Sequence, residues 1–91
     1  MIVYFDADDV KRRFSRKIEY KQDPKDVLAG NIKRLRMKRG LTQRELADSL
    51  YLSSQAVSKW ENRQAAPDIF MLPKLANLLG CRIDDLFHNY D

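Results

Sequence analysis

Between Ser54 and Lys59 the chain carries an amide, two hydroxyls and an ammonium at spacings that a helix gathers on one side: Ser54 with Ser58, and Gln55 with Lys59. No acid interrupts the row. A helix face meant only for water is commonly rich in Glu and Lys, whereas a face meant for base edges needs amides, hydroxyls and a cation. These four side chains therefore point to hydrogen bonding in the major groove of duplex DNA. Val57 and Trp60, at i and i+3, take the opposite side and face a core, which makes Trp60 a packing residue and not a stacking platform.

Other chemistries find no constellation. Asp84 and Asp85 are adjacent near a helix start, where carboxylates favour the dipole, and His88 has no triad partner in view. Three glycines are scattered and make no phosphate loop. With one cysteine, Cys81, and one histidine, neither a disulfide framework nor a zinc site assembles within a single chain. The expectation is a protein that is not an enzyme, with no catalytic residue, cofactor or metal, in a reduced, cytoplasmic setting. Met1-Ile2-Val3-Tyr4-Phe5 meets Asp6 too soon to serve as a signal sequence, and no apolar run approaches a membrane span.

The 91 residues suffice for one compact domain and are too few for two. Lys and Arg number 17 against 13 Asp and Glu, a net charge of +4, which favours a polyanionic partner. Its distribution says more. Six basic residues (Lys33, Arg34, Arg36, Lys38, Arg39, Arg44) and no acid lie between Asn31 and Arg44. One end of the domain should be positive.

Local signals set out the elements that must hold the reading row. Thr42 caps a helix and Glu45 completes a capping box, with Leu46, Ala47 and Leu50 as its apolar stripe. Ser53 caps the next helix. Upstream, Asp23 with Pro24 starts a helix that runs from about Pro24 or Asp26 to Arg39, carries Val27, Leu28, Ile32 and Leu35 inward and stops at Gly40; Gly30 weakens it. Downstream, Asp68 caps a fourth helix with Leu72, Leu75, Ala76 and Leu79 buried, Pro73 kinks its start, Gly80 ends it, and Ile83 to Phe87 form a short closing helix. Residues 2–5 fit a short strand or an apolar arm, and Val10, Phe14 and Ile18 recur at i, i+4 and i+8 behind Asp6.

Four stretches together carry a family resemblance: Leu41-Thr42-Gln43-Arg44-Glu45-Leu46-Ala47, the second helix Ser54 to Glu61, Pro67-Asp68, and Leu75 to Phe87. Residues 31–87 resemble the Cro/C1-type (XRE-like) helix-turn-helix domains of phage repressors and many bacterial regulators. The resemblance implies an all-α, five-helix, lambda-repressor-like DNA-binding domain at 29–91, preceded by an N-terminal extension at 1–28. One departure is Tyr51, which holds a turn position often given to Gly and so is expected near the left-handed region.

The resemblance also implies roles. Ser54, Gln55 and Lys59 fall in base-reading positions with Ser58 nearby: Gln55 suits adenine N6 and N7, Lys59 guanine O6 or N7. Gln43 and Asn62 match positions that hold the DNA backbone, with Arg44, Arg63 and Lys38 as further backbone candidates. Arg36 and Glu61 match an ion pair that ties the first helix to the end of the reading helix. The implied function is a sequence-specific transcriptional regulator, a repressor, binding double-stranded DNA as a homodimer. The alternative is a DNA-binding antitoxin or accessory protein that engages a protein partner through residues 1–28, whose Ile2, Val3, Tyr4, Phe5, Val10, Phe14 and Ile18 offer more apolar surface than an extension should leave in water.

Overall fold

The computed structural model describes residues 23–89, so the expected strand or arm at 2–5 and the helix carrying Val10, Phe14 and Ile18 lie outside the described residues. Within them every regular element is helical: α1 (Pro24–Lys38), α2 (Gln43–Ser49), α3 (Ser54–Glu61), α4 (Leu72–Leu79) and α5 (Ile83–Leu86), with a 3-10 turn (Ile69–Met71) between α3 and α4. The all-α, five-helix expectation holds.

Asp23 starts α1 by accepting the Lys25 N–H at 2.8 Å, and Pro24 occupies the first turn, where a missing N–H costs no hydrogen bond. Leu28, Ile32 and Leu35 are buried as their spacing requires, while Val27 is only half-buried. The expected division between residues 28 and 29 falls inside this helix. Gly40, at φ 72°, turns the chain out of it.

Both arms of the Thr42/Glu45 capping box form: the Glu45 N–H donates to Thr42 Oγ1 at 3.0 Å, and the Thr42 N–H to Glu45 Oε1 at 2.9 Å. The Thr42 backbone N–H, with its hydroxyl behind it, holds the Glu45 carboxyl below its ordinary pKa. A depressed carboxylate supports the cap above the unfolded pKa and loses that support as pH falls through the folded one. Leu46, Ala47 and Leu50 are buried. Tyr51 then takes φ 58°, so a side chain that ordinarily avoids the left-handed region turns the chain into α3. The Lys74 ammonium sits 4.7 Å from the centre of its ring.

Two local expectations change. Ser53 stands at the first position before α3, but its hydroxyl makes no capping bond, so no side chain caps that helix. Asp68 caps the 3-10 turn instead of a long fourth helix: its carboxylate accepts the Phe70 N–H at 2.8 Å and its carbonyl the Met71 N–H at 2.8 Å. An α-helix begun at Ile69 would need the Pro73 N–H to reach the Ile69 carbonyl, and proline has none. The chain makes a tighter turn first. Pro73 thereby falls in the first turn of α4 and the expected kink does not arise.

The core joins all five helices through Ile32, Leu46, Val57, Trp60, Leu75, Leu79 and Leu86. Gly80, at φ 70°, ends α4 beneath the Arg39 guanidinium, which a Cβ there would meet at 2.8 Å. The last helix is held from across the fold. Asn31, buried in α1, donates its amide N–H groups to the carbonyls of Leu86 and His88, both at 2.8 Å.

Two neighbouring substitutions should therefore move stability in opposite directions. Gly30→Ala places a methyl where nothing lies within 4 Å and should add roughly 0.5–1 kcal/mol by restricting the unfolded chain. Asn31→Ala strands two carbonyls and should cost about 1–3 kcal/mol. Urea denaturation followed by circular dichroism reads both; an unchanged midpoint for Asn31→Ala would show that the α1 to α5 anchor carries no weight.

Candidate nucleic-acid interface

Helix α3 presents the reading row as a graded face. Gln55 and Lys59 are exposed, Ser54 and Ser58 are half-buried along its margin, and Val57 and Trp60 are buried behind it. Ser58 is also engaged, accepting the Asn62 side-chain N–H at 3.3 Å. The outermost edge therefore belongs to Gln55 and Lys59, one turn or about 6 Å apart along the helix.

The helix pair is locked by a cluster at the other end of α3. Arg36 Nε donates to Glu61 Oε2 at 2.7 Å and Nη2 to Oε1 at 3.0 Å, with the two side chains only 11% and 3% exposed. The third arm of the same guanidinium, Nη1, donates to the Leu41 carbonyl at 2.7 Å, one residue before the α2 cap. Gln43 closes the cluster, its Nε2 donating to Glu61 Oε1 at 3.1 Å. Because a carboxylate can only accept, this contact sets the amide: the NH2 faces Glu61 and keeps one N–H for an outside acceptor. The spacing of Gln43 in the sequence carries no sign of this tie, which needs α2 packed against the end of α3.

The remaining backbone candidates scatter around that cluster. Arg44 is exposed on α2 and lies 4.0 Å from the Asp48 carboxylate, a surface pair of little energetic weight. Lys38 is exposed on the last turn of α1. Asn62 ends α3 and is exposed. Arg63, at φ 63°, sends its guanidinium to Asp26 on the first turn of α1 at 2.9 Å. The structure thus brings Arg36, Glu61 and Gln43 together and ties Arg63 to a residue outside the expected set.

Burial first, and Asp85 second, raise the pKa of the Cys81 thiol against the opposing pull of Arg34, so the thiol stays protonated at neutral pH. Among the described residues no cluster of His, Cys, Asp and Glu could hold a metal, and no helix is long and apolar enough to cross a membrane.

Comparison with known proteins agrees with this geometry. A family model described as helix-turn-helix matches residues 32–86. The chain is 36% identical over 55 residues to the HTH-type transcriptional activator BcrR of Enterococcus faecalis. It is 38% identical over 55 residues to the SPbeta prophage-derived uncharacterized HTH-type transcriptional regulator YonR of Bacillus subtilis (strain 168). Each match covers 60% of this chain but only 27% of BcrR and 51% of YonR, so the chain spans about a quarter and about half of these relatives. Among solved structures, the hypothetical transcription factor NHTF from Neisseria superposes with a TM-score of 0.71 at 28% identity, over 81% of this chain and 85% of that one. The clp gene regulator ClgR from Corynebacterium glutamicum, at 23% identity and a TM-score of 0.67 over 72% and 70% of the two chains, shares the fold.

The ion pair generates a stability prediction. Arg36→Met leaves the Glu61 carboxylate buried and uncompensated, which should cost on the order of 3–5 kcal/mol, whereas the double variant Arg36→Met/Glu61→Leu should recover most of that loss. Denaturant melts of the two single variants and the double close the cycle. Additive losses would show that the two charges do not act as a pair.

Proposed function

The chain belongs to the helix-turn-helix family of the Cro/C1 type, and on that premise we propose that it is a sequence-specific DNA-binding regulator of transcription, working in the cytoplasm as a repressor. Helix α3 lies in the major groove and reads bases through Gln55 and Lys59, with Ser54 and Ser58 at the margin, and α2 crosses the backbone. The observation that carries this reading is the exposed Gln55 and Lys59 edge mounted on a helix pair that Arg36, Glu61 and Gln43 hold rigid. A separation of about 6 Å along α3 compares with about 6.8 Å for two base steps of one strand. The two readers address bases two steps apart.

Gln43 supports the register. Its remaining N–H, pre-aimed by Glu61, suits a phosphate oxygen, and a donor already fixed loses less freedom on binding. Asn62, Arg44 and Lys38 serve as further backbone contacts, as does Arg63 once it leaves its tie to Asp26. One α3 face reads too few bases for high specificity. The protein accordingly binds as a homodimer on a two-fold related site, with half-sites one helical turn, about 34 Å, apart. Repression follows from occupancy alone.

DNA selected from a random pool supplies the test. On the selected site, Gln55→Ala and Lys59→Ala should each cost on the order of 1–3 kcal/mol with little change on random DNA, while Gln43→Ala should weaken both alike. Equal losses of Gln55→Ala on selected and random DNA would show that this residue does not read sequence. Failure of the wild type to enrich any sequence would sink the reading as a whole.

A further inference from the structure

Two arginine–carboxylate pairs tie α1 to the end of α3, and they differ in kind. The Arg36 and Glu61 side chains are buried, whereas those of Arg63 and Asp26 are 62% and 45% exposed. Breaking the first pair strands a buried charge. Breaking the second strands nothing: both groups reach water, and Asp26 stands in the first turn of α1, where the helix N-terminus favours a lone carboxylate. An exposed pair is also weak, because water and salt screen it. Arg63 is held by a partner it can leave.

The second tie also fixes where Arg63 points. Asp26 and Arg36 stand ten residues apart on α1, about 15 Å along the helix. Glu61 and Arg63, the residues they hold, are two positions apart and so within about 7 Å of each other. The two side chains are thus drawn toward opposite ends of α1. Glu61 goes to the end where Gln43 keeps its free N–H, and Arg63 goes to the other.

We propose that Asp26 is a stand-in for a DNA phosphate: it keeps the Arg63 guanidinium while the protein is free, yields it when the protein binds, and thereby lowers the affinity for every DNA sequence alike. The proposal rests on the DNA-binding reading above. A planar guanidinium presents a fork that a carboxylate and a phosphate fill in the same way, so one replaces the other without a change in hydrogen-bond geometry. Charge density favours the exchange. Duplex DNA carries one negative charge per about 1.7 Å of its axis, and a phosphate that gains Arg63 releases a condensed counterion. Once released, Arg63 remains rooted two residues from Glu61, on which the proposed phosphate donor Gln43 hangs.

The sign of the effect sets Asp26 apart from any direct contact. Each binding event must first undo the tie, so removing the carboxylate should tighten binding, whereas removing a group that touches DNA weakens it. The contact made in exchange is to phosphate, which carries no sequence information. Selected and random sites are therefore affected equally. Asp26 is a positioning residue that acts through Arg63.

The test measures wild type, Asp26→Asn, Arg63→Gln and the double variant on the selected site and on random duplex over a range of salt, with melting temperatures alongside. Both positions are exposed, so the melting temperatures should move little. Asp26→Asn should bind both DNAs roughly two- to fivefold more tightly, the strength of an exposed pair. Arg63→Gln should bind both more weakly, with a salt slope shallower by about 0.9. The double variant should match Arg63→Gln, because the carboxylate acts only through the guanidinium, and Asp26→Glu, which keeps the charge, should match wild type. A full gain from Asp26→Asn in the Arg63→Gln background would reveal plain repulsion between Asp26 and DNA and overturn the exchange. Weaker binding by Asp26→Asn would overturn it as well, since the tie would then aid the Arg63 contact. If no variant binds any duplex, the functional reading has failed and the exchange falls with it; binding by wild type with no gain in Asp26→Asn overturns the exchange alone.

Discussion

The Arg36 guanidinium is the joint on which the rest of the molecule turns. Its three nitrogens reach three oxygens on two residues: both carboxylate oxygens of Glu61 at the end of α3, and the Leu41 carbonyl ahead of α2. A planar fork can satisfy all three only when α1, the α2 start and the α3 end stand in one relative orientation. Removing two charges from water is costly, and a buried pair of this kind often adds little net stability over well-packed apolar residues. Its effect is on arrangement. Where apolar side chains alone would tolerate small rotations between the helices, the fork does not.

That constraint is also what gives the site its geometry. Helices α2 and α3 have seven and eight residues, well short of the length at which a helix persists alone in water. Their order is borrowed from the core that Leu46, Ala47, Leu50, Val57 and Trp60 share, and from the Thr42 and Glu45 box at the start of α2. Gln43 links the two functions because it hangs on the same Glu61 carboxylate that Arg36 holds. The start of α2, to which a DNA-backbone contact is proposed, and the end of α3 are therefore one hydrogen-bonded unit.

Local strain is spent where the chain must reverse quickly. Tyr51 and Arg63 both adopt left-handed backbone, one on each side of α3. Conformations of this sort cost on the order of 1–3 kcal/mol for ordinary residues and persist only where neighbours over-determine them. At Tyr51 those neighbours are the Ala47 and Asp48 carbonyls and the Lys74 ammonium; at Arg63 they are the Trp60 carbonyl and Asp26. Helix α3 is thus bracketed by two sharp turns, each fastened to another part of the fold.

Much of this was readable in the sequence, for a physical reason. Helix starts and stops depend on hydrogen bonds that span two to five residues, so Asp23 with Pro24, Thr42 with Glu45, Gly40 and Gly80 follow from residue type and spacing, while the left-handed Tyr51 came from the family resemblance. The stripes Leu46, Ala47, Leu50 and Val57, Trp60 follow likewise from helical period. The Arg36 and Glu61 pairing came from family resemblance, since nothing local relates residues 25 positions apart. Tertiary structure alone decided the rest. It set the Gln43 amide on Glu61, passed Arg63 to Asp26 and buried Asn31 against the carbonyls of Leu86 and His88. Each of these depends on where a distant element comes to rest, and side-chain chemistry encodes which bonds a residue can make but not which partner packing will bring within reach.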